Sequence, residues 1–82
     1  MTQGERAEII KKILKWIIPQ EKGVTTQAIY YHIKWEITEG GASNNSIKKY
    51  IEDISKASYI TYEHPFWKAT KAGKDWLERH SV

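Results

Sequence analysis

Eighty-two residues with a formal charge of +3, thirteen Lys and Arg against ten Asp and Glu, point to one small domain with a mildly basic surface. The absence of cysteine excludes disulfides and thiolate metal sites. Apolar runs such as Trp16-Ile17-Ile18 are far short of the roughly 20 residues that a membrane span requires. The start, Met1-Thr2-Gln3-Gly4-Glu5-Arg6, has no signal-peptide h-region, so the chain reads as cytoplasmic and of full length. So short a chain buries only about 60% of its unfolded surface and needs a dense core. Twelve isoleucines, four tryptophans and five tyrosines supply it.

Taken in order, the first predicted helix covers about residues 5–18 and is stopped by Pro19. Ile10, Ile13, Leu14 and Ile17 form its core stripe, and Ile9 and Trp16 widen the apolar arc to about half the circumference. That much apolar surface packs against two bodies, the second being the C-terminal helix or a partner subunit. Lys11, Lys12 and Lys15 share the solvated face. Gln20-Glu21-Lys22-Gly23 reads as a turn, and Val24 begins a short strand or staples the next helix.

Thr25 or Thr26 caps a second helix over about 26–38, with Ile29, Ile33 and Ile37 as its buried line and Tyr30 beside it. Tyr31 and Trp35 form an i, i+4 aromatic pair on another flank, to cover the hairpin, line a dimer contact or stay partly exposed. Gly40-Gly41 ends this helix. Ser43 then caps a third helix over about 44–57, in which Ile47, Tyr50, Ile51 and Ile54 fall at i, i+3, i+4 and i+7. At about 100° per residue, Asn45, Lys49, Glu52 and Lys56 point away from that stripe, with Lys48 flanking them. From Ser43 to Ile51 there is no carboxylate, only amides, hydroxyls and two lysines besides the apolar positions. Such groups hydrogen-bond base edges and neutralise phosphates. A polar outer face is also what any surface helix has, so this face gains meaning only from its neighbours.

Tyr59-Ile60-Thr61-Tyr62-Glu63 alternates and is rich in β-formers, His64-Pro65 forms a tight turn, and Phe66-Trp67-Lys68-Ala69 returns. This places a hairpin over about 59–69. Thr70 caps a last helix over about 71–80, with Gly73, Trp76, Leu77 and His80 on one side. The class is α+β, mostly α: three helices, a β-hairpin and a C-terminal helix, in a single domain spanning 1–82. Two helices joined by a short Gly-containing turn, the second polar outside, make a helix-turn-helix.

Other chemistry finds little support. His32, His64 and His80 are isolated, at no metal-ligand spacing, so no metal or other cofactor is expected. There is no G-x-S-x-G, and Gly40-Gly41 lacks the spacing and Lys-Ser/Thr of a phosphate loop. An enzyme is not expected, no small-molecule ligand is evident, and most of the aromatics are needed for the core rather than for base stacking.

Ile54-Ser55-Lys56-Ala57-Ser58-Tyr59-Ile60 is similar to the junction of winged helix-turn-helix proteins, where the recognition helix ends in a small residue before an aromatic-Ile strand. Trp67-Lys68-Ala69-Thr70-Lys71-Ala72-Gly73-Lys74-Asp75-Trp76-Leu77 is similar to their returning strand and T-x-x-G turn into the last helix. With the element order, the chain resembles small transcription regulators of archaea and their viruses, and the core of MarR- and PadR-type repressors. Ala57-Ser58 stands where that family usually has a glycine, and the hairpin turn is short. The resemblance implies a winged-helix fold, sequence-specific binding of double-stranded DNA and a role in transcription regulation. It implies that the third helix enters the major groove, with Asn44, Asn45, Ser46, Lys48 and Lys49 at reading positions. Ser43 and Lys56 bound that helix, and Glu52 accepts from cytosine or pairs with a lysine on its own helix. Thr25, Thr26 and Gln27 are placed to offer backbone N–H groups to a phosphate. Lys68 and His64 on the short wing would add backbone contacts rather than enter the minor groove.

A homodimer is expected, because one small module touches few base pairs and because Ile9, Trp16 and Trp76 are surplus apolar surface on the first and last helices. Two readings from other classes stay open: a winged helix serving as a protein-interaction module, favoured by Trp16, Tyr31 and Trp35, and a non-specific architectural DNA-binding protein.

Overall fold

In the computed structural model, residues 3–80 are described, with side chains from Arg6 onward. The elements are α1 (Gln3–Ile17), α2 (Thr26–Tyr31) continuing as a π-helical segment (His32–Ile37), α3 (Asn44–Lys56), β1 (Ile60–Glu63), β2 (Phe66–Ala69) and α4 (Lys71–His80). The protein is thus α+β and mostly helical, in the order that the periodicities predict.

Helix α1 ends just before Pro19. Ile18 donates to the Leu14 carbonyl and Gln20 to that of Ile17, while the Gln20 amide side chain donates to the Trp16 carbonyl. These bonds satisfy carbonyls that a helix C-terminus leaves without partners. Ile13, Leu14 and Ile17 are fully buried, and Ile9, Ile10 and Trp16 pack on the core from the side. Helix α4 of the same chain lies against α1.

Val24 forms a two-bond bridge to Trp67, its N–H donating at 2.9 Å and its carbonyl accepting at 2.7 Å. Where a short strand is one expectation, Val24 forms this single bridge and no strand of its own. Gly23 leads into it at φ +90°, and a Cβ there would stand 2.7 Å from the Trp67 carbonyl oxygen, so glycine alone allows this approach. Strand β2 runs between Val24 and β1, with Glu63 opposite Phe66 and Ile60 opposite Ala69. His64 and Pro65, joined by a cis peptide, are the two turn residues.

Ser43 caps α3 by accepting from the Ser46 N–H at 3.2 Å. Ile47, Tyr50, Ile51 and Ile54 are buried, as the i, i+3, i+4, i+7 pattern requires. Together with Ile13, Leu14, Ile17, Val24, Ile29, Ile33 and Ile60 they form the core. The helix closes in a Schellman arrangement: Tyr59 donates to the Ile54 carbonyl and Ser58 to that of Ser55, with Ser58 itself at φ +65°. The usual occupant of such a site is glycine, and a serine holds it here.

Thr70 ties three elements together. Its hydroxyl donates to the Ser58 carbonyl and accepts the Gly73 N–H at 3.1 Å, and its own N–H donates to the Tyr59 carbonyl at 3.0 Å. Gly73 is buried with its Cα against the Tyr59 backbone. The T-x-x-G pattern thus has a physical meaning: a cap three residues before a close backbone approach.

The second helix differs from expectation. From His32 its bonds widen to the i→i+5 pattern, and it closes with the Thr38 N–H on the Ile33 carbonyl at 2.9 Å. The Thr38 hydroxyl lies 2.9 and 3.1 Å from the Ile33 and Lys34 carbonyls and accepts the Ala42 N–H. Ile29 and Ile33 are fully buried, whereas Ile37 is only half-buried, since a widened turn shifts it off their line. The segment is braced by the His32 ring stacked on Trp16, centroids 4.2 Å apart and planes at 9°, and by the contact of His32 Nδ1 with the Glu36 carboxylate at 2.7 Å.

Candidate nucleic-acid interface

Burial of four apolar residues along one face fixes how α3 displays the rest. Asn44, Asn45, Ser46, Lys48, Lys49, Glu52 and Lys56 are all exposed. Spacing of about 100° per residue divides them: Asn45, Lys49, Glu52 and Lys56 face outward, and Asn44, Lys48 and Ser55 lie on the flank beside Ile51. Asp53, the helix's other carboxylate, turns to the opposite flank. There it pairs with Arg6 of α1, whose guanidinium also sits 4.8 Å from the Tyr50 ring centroid. The outward face and the Ile51 flank together therefore carry the charges of Lys48, Lys49 and Lys56 against Glu52 alone. None of these four makes an ion pair among the described residues, although Lys48, Glu52 and Lys56 have the i, i+4 spacing at which such pairs form.

Thr25, rather than Thr26, is the N-cap of α2 and accepts the Ala28 N–H at 3.1 Å. That leaves the Thr26 hydroxyl to accept the Trp67 indole N–H at 2.9 Å, a bond that joins the start of α2 to β2. Thr25, Thr26 and Gln27 are all exposed. Between α2, α3 and β2 lies a cleft of about 370 Å³. Tyr30, Ile51 and Trp67 are its apolar lining, and Thr26, Lys48, Glu52, Ser55 and Lys56 are its polar lining. Four of the predicted site residues, Thr26, Lys48, Glu52 and Lys56, are thus brought together on one continuous surface.

No protein-family model matches the chain, and no curated protein or solved structure is significantly similar to it.

The hairpin contributes less charge than its sequence suggests. Lys68 pairs with Glu63 at 3.3 Å, and His64 Nδ1 lies 2.8 Å from the Tyr62 hydroxyl. Ser46 is drawn toward Ser43, its hydroxyl accepting from Ser43 Oγ at 3.1 Å, and it lines a separate cavity with Tyr50 and Thr38. Ile9, Trp16 and Trp76, expected at a dimer contact, are each half-buried within the chain. Trp16 is covered by His32, and Trp76 lies between Tyr59 and His80 with ring centroids at 5.5 and 4.4 Å. The large apolar side chains left most open are Tyr31 at 64% and Trp35 at 54% exposure, with Tyr62 and Phe66 on the hairpin.

Sequence reasoning did not place Tyr30, Ile51, Ser55 and Trp67 at the site. Ser55 and Ile51 share the Lys48 flank at i+7 and i+3, a signal present in the helical wheel. Trp67 lies opposite Tyr62 in the hairpin register, but only Val24 and Thr26 fix the side of α3 on which it stands. Among the described residues no His/Cys/Asp/Glu group is arranged to hold a metal ion. No helix among them is long and apolar enough to cross a membrane.

Proposed function

We propose that this chain is a winged-helix protein that binds double-stranded DNA sequence-specifically, with α3 in the major groove, as a small transcription regulator. The observation that carries this reading is the joined surface. The exposed amides and lysines of α3 are continuous, through the Trp67–Thr26 bond and the cleft beside it, with the start of α2 and the second strand of the hairpin. Asn45 has the amide that binds adenine N6 and N7, and Lys49 the ammonium that reaches guanine O6 and N7 or a phosphate. With Asp53 on the opposite flank and paired with Arg6, that face is left cationic. With Lys68 held by Glu63, the wing has a small part and α3 supplies most of the phosphate contacts. The protein acts as a homodimer on a pseudo-palindrome, its two recognition helices about 34 Å apart. The half-buried state of Ile9, Trp16 and Trp76 makes their part in that contact a modest one.

Selection from a random duplex pool, repeated across salt concentrations, tests the reading. A two-fold motif with affinity falling steeply in salt is the expected result. Salt-sensitive binding without a motif would make the protein architectural. Absence of binding at low salt would favour the second reading, a protein-interaction module, to which the open Tyr31 and Trp35 side chains give specific support.

A further inference from the structure

We infer that the cleft between α2, α3 and β2 binds a free mononucleotide, its base against Tyr30 and Trp67 and its phosphate on Lys48 or Lys56, in competition with DNA. The competition rests on the DNA-binding reading; the nucleotide site does not.

The cleft combines the parts that such a ligand needs. Two aromatic side chains and Ile51 offer apolar contact for a planar ring. Lys48 and Lys56 stand two helical turns apart on the same wall, so a cation is available at either end for a phosphate. Glu52 lies between them and is an acceptor for the exocyclic amine or ring N–H of a base. Thr26 and Ser55 add hydroxyls suited to a sugar; the Thr26 oxygen already accepts from Trp67, which leaves its proton free to donate.

Charge and size narrow the choice. The two lysines and Glu52 make no ion pairs among the described residues, so an anion meets uncommitted ammonium groups. A bare aromatic carboxylate would fill the ring slot yet leave Glu52 facing another carboxylate, whereas a nucleotide uses both signs of charge. At about 370 Å³ the cleft is at the small end of ligand sites, which run from about 300 to 1,000 Å³, and suits a single nucleotide rather than a dinucleotide. Because Lys48 and Lys56 also belong to the DNA face, an occupied cleft removes two cations from the protein–DNA contact.

Calorimetric titration of the full chain with AMP, GMP, CMP and UMP, beside benzoate and inorganic phosphate, tests the site. Saturable binding of at least one nucleotide at a dissociation constant of about 0.1–1 mM is expected, with phosphate and benzoate at least ~10-fold weaker. The double variant Lys48→Gln/Lys56→Gln should bind about 10-fold more weakly, and Ser55→Leu, which fills the cleft, should abolish binding. Far-UV circular dichroism checks that both variants are folded; if Ser55→Leu is not, the double lysine variant decides. Benzoate binding as tightly as any nucleotide, no saturable nucleotide binding, or binding indifferent to the folded variants would overturn the assignment. A short oligonucleotide binding where no mononucleotide does would assign the cleft to the DNA strand instead. Nucleotide binding without any DNA binding sinks the DNA reading and leaves the site standing. Both ligands binding without mutual effect overturns the competition alone.

Discussion

Substitution of Gly73 by alanine sets two well-characterised effects against each other, and the structure decides the sign. In an open helical position, Gly→Ala stabilises by up to ~1 kcal/mol, because glycine loses more backbone freedom on folding. At Gly73, in the first turn of α4, the new Cβ would fall inside the contact distance of the Tyr59 carbonyl oxygen, and 3.1 and 3.2 Å from that residue's carbonyl carbon and Cα. Tyr59 is poorly able to yield. Its carbonyl accepts the Thr70 N–H, its N–H closes α3 on Ile54, and its ring leans on Trp76. Overpacking typically costs ~1–3 kcal/mol, and a clash with anchored backbone belongs at the upper end. The net expectation is a loss of about 1–2 kcal/mol, which for a chain of this size lowers Tm by about 5–15 °C. Thermal unfolding by circular dichroism, paired with urea titration at constant m, measures it. Ala72→Gly at the exposed neighbouring position gives the scale of the propensity effect alone. A Gly73→Ala protein as stable as the parent, or more so, would refute the close approach of α4 to Tyr59.

Three further substitutions probe separate features. Ser58→Gly should stabilise the protein by about 0.5–1 kcal/mol in urea, since Ser58 holds a left-handed φ of +65° that glycine adopts without cost; a loss of stability would mean that the serine side chain is needed there. Thr70→Val removes the acceptor for the Gly73 N–H and the donor to the Ser58 carbonyl, so about 1–2 kcal/mol should be lost in the same assay, and a neutral result would show the cap to be dispensable. Lys49→Ala, exposed and unpaired, should leave Tm unchanged while weakening DNA binding by about 1–3 kcal/mol if it reads a base, or uniformly with a shallower salt slope if it holds a phosphate; unaltered affinity in a mobility-shift assay removes it from the contact.

The parts of the fold that could be read ahead share one property: their signal is local and periodic. Ile47, Tyr50, Ile51 and Ile54 announce α3, Ser43 announces its start, and the alternation from Tyr59 to Glu63 gives a hairpin that begins one residue later, at Ile60. The widening at His32 has no comparable signature. Its Ile29, Ile33 and Ile37 spacing suits a regular helix, and the His32–Trp16 stack that braces the segment spans sixteen residues of sequence. The cleft was legible only by half. Lys48, Glu52 and Lys56 follow from the helical wheel, whereas the Trp67 side of the wall depends on a hydrogen bond to Thr26 across forty-one positions. The Arg6–Asp53 pair, which neutralises the carboxylate that the helical wheel puts on the opposite flank of α3, is likewise a meeting of distant residues.

The π-helical stretch between His32 and Ile37 has a consequence for how this chain tolerates changes in length. Deleting one residue from an ordinary helix rotates everything beyond it by about 100° and misdirects the whole following face. A π turn already holds one residue more than an α turn needs, so excision of a solvent-facing residue such as Glu36 can be absorbed by tightening the turn, with the Thr38 cap and the entry to α3 kept in place. The ΔGlu36 protein should therefore fold cooperatively, losing chiefly the contact with His32, whereas removal of Lys49 from the regular α3 should abolish folding. Equal damage from both deletions, read by thermal melts, would contradict this. In that sense the segment is a spare loop of chain stored inside a helix, where a lineage can gain or lose a residue without rebuilding the module.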